Sequence, residues 1–199
     1  MYHFLRPQDP LPSHLPTKRA QNLSPQQMAS LKDIPIRPLS KYVDYWLELC
    51  SGGMIAGISA ALNNGIQINT VSLVENNRLI RYQASARLQR LQADFPHLLS
   101  NQAILQPFRF PQDVNIIGAE SLKNIPPVTV IFATPPCQAF SSAGSAPGWE
   151  SPMSVPFISC VNLVRYLNDH QQDGVTYFIE NVPNTANFME IQRVRGEMR

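Results

Sequence analysis

Cysteine is scarce in this 199-residue chain: Cys50, Cys137 and Cys160 lie far apart, form no CxxC pair, and have no histidine at metal-ligand spacing. A disulfide framework and a metal site of the zinc type are therefore excluded, and a reducing, intracellular compartment fits best. Charge is sparse too, at 15% of residues, with 16 basic against 14 acidic side chains and a formal net charge of +2. A polybasic tail binder is thereby excluded. No run approaches the ~18 to 20 apolar residues that span a bilayer, so no membrane partner is expected. Tyr2, His3 and Arg6, followed by prolines, stand where a signal peptide would place its apolar stretch. What is present is 44% hydrophobic residues, enough for a core and one domain.

Seven of the 18 prolines fall within residues 1–40, together with Arg6, Lys18, Arg19, Lys32 and Arg37. This segment reads as a proline-rich basic leader, partly disordered, with one short helix from Ser24-Pro25 to about Lys32. A floppy or strapping leader is favoured over an arm that contacts nucleic acid. From residue 41 short apolar runs alternate with helical stretches, the pattern of βαβ units and a parallel sheet. Strands are expected at Tyr42–Leu49, Asn69–Val74, Asn115–Ile117, Val128–Ala133 and Val175–Ile179. Helices are expected at Met54–Asn63, Arg78–Gln92 and Val155–Leu167.

The first strand leads through Glu48-Leu49-Cys50-Ser51-Gly52-Gly53 into a helix, and the second ends in Val74-Glu75-Asn76. Glycines at such a turn admit a ligand close to the backbone, and a carboxylate at the end of the next strand can accept hydrogen bonds from both hydroxyls of a ribose. A cofactor bearing a nucleoside is the favoured reading. The GxGxxG pattern is missing, which argues against NAD or FAD, whereas S-adenosylmethionine has no pyrophosphate and does not need it.

Val128–Ala133 runs directly into Thr134-Pro135-Pro136-Cys137-Gln138-Ala139-Phe140-Ser141. Two prolines stiffen the approach, so Cys137 is expected on a rigid loop beyond the carboxyl end of a strand, where open α/β sheets bind ligands. Cys160, inside an apolar helix, and Cys50, after the first strand, read as packing residues. The last strand ends in Glu180-Asn181-Val182, and a carboxylate there needs a partner or a proton.

These residues resemble the motifs of the C5-cytosine-specific DNA methyltransferases, over roughly residues 43–185. Thr134 to Ser141, with Ala143-Gly144, is similar to the proline-cysteine-glutamine motif, and Glu180-Asn181-Val182 to the glutamate-asparagine-valine motif. Leu47–Gly53 and Val74-Glu75 are similar to the first two cofactor motifs. The resemblance implies an α/β, Rossmann-like fold with a mostly parallel sheet flanked by helices, dependent on S-adenosylmethionine. It implies Cys137 and Glu180 as catalytic residues, and Glu48, Ser51, Gly52, Gly53, Glu75, Asn76 and Pro136 as cofactor-binding residues. Gln138, Ser141 and Asn181 would contact the substrate, a cytosine flipped out of duplex DNA. Two further readings are a tRNA-methylating relative and a truncated, inactive homologue that binds cofactor or a complementary chain.

Several departures accompany the match. Cys50 stands where the family usually has an aromatic residue, and only Glu120 is a candidate for the acidic residue after the third strand. Residues 41–199 are expected to be a partial catalytic domain without an evident target-recognition region. A complementary chain could supply the C-terminal motifs. Gln192-Arg193-Val194-Arg195 superficially resembles the arginine motif, but lies too close to Glu180 to be its equivalent.

Overall fold

The computed structural model describes residues 39–104, 107–123, 125–141, 147–182 and 185. Within them the order is β1 (Tyr42–Leu49), α1 (Ala56–Asn63), β2 (Gln67–Val74), α2 (Arg78–Asp94), α3 (Ala119–Leu122), β3 (Val130–Ala133), α4 (Val155–His170) and β4 (Thr176–Ile179). The four strands form one all-parallel sheet in the order β2-β1-β3-β4. The chain crosses from β1 to β2 in one direction and returns past β1 to β3 in the other. That reversal opens a crevice at the carboxyl ends of β1 and β3, where doubly wound sheets take their ligands.

β1 is central, and this explains its nearly continuous apolar run. Tyr45, Leu47 and Leu49 pack in one core with Cys160, Leu163 and Val164 of α4. Trp46 enters the opposite core with Ile58 and Leu62 of α1 and Leu88 and Leu91 of α2. The α/β, Rossmann-like arrangement read from the sequence is thus the fold, with helices on both faces.

Local chemistry moves several boundaries from their expected places. α1 starts at Ala56 instead of Met54 because Cys50, Gly52 and Ile55 all take positive φ, at 53°, 58° and 42°, which delays the first helical turn. β3 starts at Val130 because the Val128 N–H and C=O are both taken by the side-chain amide of Gln171, at 2.7 and 2.9 Å. The expected strand at Asn115–Ile117 is instead a 3-10 turn, Val114–Ile116. Asp113 accepts the Asn115 N–H at 2.9 Å, and this local side-chain bond closes a turn that competes with extended backbone. The expected leader, apart from Leu39 and Ser40, lies outside the described residues, as do Ala143-Gly144 and the basic tail from Arg193.

α1 crosses the sheet closely at Gly57, where a Cβ would overlap the ring of Phe132. Phe132 in turn stacks on Trp46, with centroids 6.3 Å apart. Gly57→Ala is expected to lower stability by about 1–3 kcal/mol through overpacking, outweighing alanine's better helix propensity. A urea midpoint equal to that of the parent protein would contradict this.

Candidate active site

β1, β3 and β4 end at one level, since Leu49 pairs with Ala133 and Ala133 with Ile179. The ladder continues one bond further on each side: Thr134 N–H donates to Leu49 O at 3.1 Å, and Glu180 N–H to Ala133 O at 2.9 Å. The Pro-Pro-Cys segment is therefore held between two fixed strand ends. Thr134 Oγ1 ties it to the Cys50 carbonyl at 2.8 Å. Asn181 Nδ2 ties it to the Pro135 carbonyl at 3.0 Å. After Cys137 the chain turns at once, with the N–H groups of Phe140 and Ser141 both donating to its carbonyl at 2.9 Å. Phe140 is fully buried, its ring centroid 4.6 Å from that of Trp149 and 5.6 Å from that of Phe157, and it anchors the far side of the loop.

A cavity of about 460 Å³ opens at this edge. Cys137 and Glu180 both line it, so the thiol and the carboxyl face a common volume of a size suited to small molecules. Glu75, Asn76, Pro136, Gln138 and Asn181 also line it. Asn181 is already committed, because its Oδ1 accepts Val182 N–H at 2.9 Å and Thr185 Oγ1 at 2.8 Å. Its geometry positions the Cys137 loop, in contrast to the expected substrate contact.

The glycine turn lies elsewhere from where the sequence put it. Glu48, Ser51, Gly52 and Gly53 are not on the cavity wall, and neither is Ser141. Glu48 is fully buried under α1, where it accepts Gly57 N–H at 3.2 Å, Ile58 N–H at 3.0 Å and the Trp46 indole N–H at 3.0 Å. It caps a helix that lacks a side-chain cap of its own. Burial pushes its carboxyl up to about 7, against the pull of the three donors. The Gly52 N–H is spent on Glu75, at 3.2 Å. A Cβ on Gly53 would meet the side chain of Gln83, so this glycine serves the packing of the turn on α2.

Glu75 is pinned from two sides, accepting Gly52 N–H and, at 2.9 Å, Asn77 N–H. Asn77 then caps α2 through Leu79 and Ile80. Two contacts per carboxylate leave about two of its four lone-pair sites open.

Other walls escaped the sequence reading. Glu120 is exposed and paired with Lys123, away from the cavity. Asp113 and Gln112 line it instead, and the Gln112 Oε1 is buried with no partner among the described residues. Cys50, read as packing, also lines it. The available signal for Asp113 was an aspartate before an apolar pair in an otherwise weakly patterned stretch, the mark of a capped turn.

Comparison with protein families bears on this edge of the sheet. Residues 107–193 match the C-5 cytosine-specific DNA methylase family. The matched segment runs from the Asp113 turn through β3, the Cys137 loop, α4 and β4 to Glu180 and beyond, so it contains both reactive residues. The methylase family implies methyl transfer to cytosine at carbon 5, with S-adenosylmethionine as the family's methyl donor. No curated protein matches the chain. Among the described residues of this methylase-family chain, no helix is long and apolar enough to cross a membrane. Likewise, no group of three His, Cys, Asp or Glu side chains there could hold a metal ion.

Proposed function

We propose that this chain methylates carbon 5 of cytosine in DNA, with Cys137 as nucleophile and Glu180 as acid. The observation that carries the reading is the shared cavity: thiol and carboxyl come from adjacent parallel strands, and the acid expected to hold a nucleoside, Glu75, lines the same space.

The walls fit S-adenosylmethionine. Glu75 retains acceptor capacity for ribose hydroxyls, Ile80 and Val114 offer apolar surface to a base, and Gln112 Oε1 and Asp113 are acceptors for its exocyclic amine. When bound, that cofactor supplies an electrophilic methyl group. The chain's own residues prepare the cytosine. Carbon 5 is too electron-poor to react directly, so Cys137 Sγ adds to carbon 6 and makes carbon 5 enamine-like. Glu180 donates a proton at ring N3 and so accommodates the charge pushed into the ring. Loss of the carbon 5 proton and departure of the Cys137 thiolate then restore the ring. In duplex DNA the base must first leave the stack, at a cost of a few kcal/mol that backbone contacts offset.

The test is transfer of tritiated methyl groups to duplex DNA and to tRNA, by the chain alone and with a candidate complementary chain. Incorporation into DNA cytosine is the expected result. Incorporation into tRNA only would overturn the DNA assignment. Cofactor binding without transfer to either, with or without a second chain, would identify an inactive homologue.

A further inference from the structure

The cavity wall holds a second thiol that the proposed reaction does not use. Cys50 is half-buried, lines the cavity, and occupies the left-handed φ of 53° at the start of the glycine turn. Its side chain packs inward against the core that contains Cys160, and the two thiols are hydrogen-bonded to each other. Cys160, on α4, is fully buried. One sulfur of the pair therefore meets solute from the cavity, while the other is shielded behind it.

We infer that Cys50 and Cys160 form a peroxide-reactive dithiol, a modification site in which Cys50 is oxidised first and Cys160 resolves it to an intramolecular disulfide. The roles follow from access and from the proton. Peroxide reaches sulfur only through the cavity, which exposes Cys50 and not Cys160. The hydrogen bond with Cys50 and burial both raise the Cys160 thiol well above its ordinary value, so Cys160 is the member that keeps its proton. In the first step the Cys50 sulfur attacks one oxygen of hydrogen peroxide. An S–O bond forms, the O–O bond breaks, and the leaving hydroxide takes the thiol proton as water. In the second step Cys160 Sγ attacks that sulfur. The S–S bond forms, the S–O bond breaks, and the hydroxyl leaves with the Cys160 proton as a second water. Two thiols lose two electrons in total, and one peroxide gains them.

The bridge would join the Cys50–Ile55 turn directly to α4. Cys137 faces the same cavity, so it is the internal competitor that makes the proposal testable. The full chain is treated with one equivalent of hydrogen peroxide, unfolded in iodoacetamide, digested and mapped by mass spectrometry, with no reductant. Expected is loss of two of the three thiols. Peptides containing Cys50 and Cys160 should be linked and Cys137 alkylated. With Cys160→Ala, oxidation should stop at a Cys50 sulfenic acid that dimedone captures; should that variant fail to fold, the parent's peptide map decides alone. A bridge between Cys50 and Cys137, oxidation confined to Cys137, or a Cys50 sulfinic acid beside an alkylated Cys160 would each overturn the assignment. None of these readouts depends on methyl transfer, so the proposed function can fail while this one stands.

Discussion

Exchange of Cys137 for serine is expected to lower methyl transfer to cytosine by about 10⁴-fold or more, with little change in stability. The size of the loss follows from the chemistry. Without addition at carbon 6 the ring offers no enamine-like carbon, and a serine hydroxyl carries far less nucleophilic electron density at neutral pH than a thiol. The small stability effect follows from place. Cys137 is half-buried on a loop whose position is fixed by neighbours, through the Asn181–Pro135 and Thr134–Cys50 bonds and the burial of Phe140. Single-turnover incorporation of tritiated methyl groups, with circular dichroism to confirm folding, is the measurement. Activity within tenfold of the parent enzyme would remove the covalent mechanism. An oligonucleotide carrying 5-fluorocytosine should trap Cys137 as an adduct, because fluorine cannot leave as the carbon 5 proton does.

The second large effect belongs to Glu48. Glu48→Ala leaves the N–H groups of Gly57, Ile58 and Trp46 without their buried acceptor and opens a cavity beneath α1, a combined loss of at least about 3 kcal/mol. Its charge adds a pH dependence of definite sign. The folded carboxyl titrates near 7, above its ordinary value of 4.5. The folded state therefore binds this proton more tightly than the unfolded chain does. Stability from Glu48 is fully present below the unfolded value, falls as pH rises between the two, and is level above the folded value. Between pH 5 and pH 8 the parent protein is expected to lose about 2–3 kcal/mol that a Glu48→Gln variant does not. Urea midpoints of both proteins across that range would show it. Parallel pH profiles would mean that the three donors hold the carboxylate ionised throughout. The effect reaches the cavity through the turn, since Gly52, four residues on from Glu48, holds Glu75 in place.

How far these sites were legible depended on the kind of signal. Cys137 and Glu180 stand directly after apolar strands in runs of unusual chemistry, and local order alone places such residues at the carboxyl edge of a parallel sheet. Glu75 was readable on the same ground. Glu48 was not. It lies next to the glycines in sequence, but it is one residue before the strand's end, and the pleat sends it to the α1 face with Trp46. Gly52 and Gly53 suffered the same fate for a different reason. Their conformation and their contacts with Glu75 and Gln83 are set by how the turn settles on α2.

The amino-acid sequence by itself determined the alternation of strands and helices, the central buried strand, and the two chemically reactive residues at strand ends. Those features are encoded in periodicity and in residue type, which act over a few positions. The tertiary structure alone decided what surrounds the reactive pair. Asp113 and Gln112 reach the cavity from an irregular loop, Cys50 meets Cys160 across the β1–α4 packing, and Asn181 turns inward to brace the Pro135 loop. Each of these depends on segments distant in the chain closing against one another. Contacts of that kind are fixed by the packing of the whole sheet and leave no periodic trace in any one stretch of sequence.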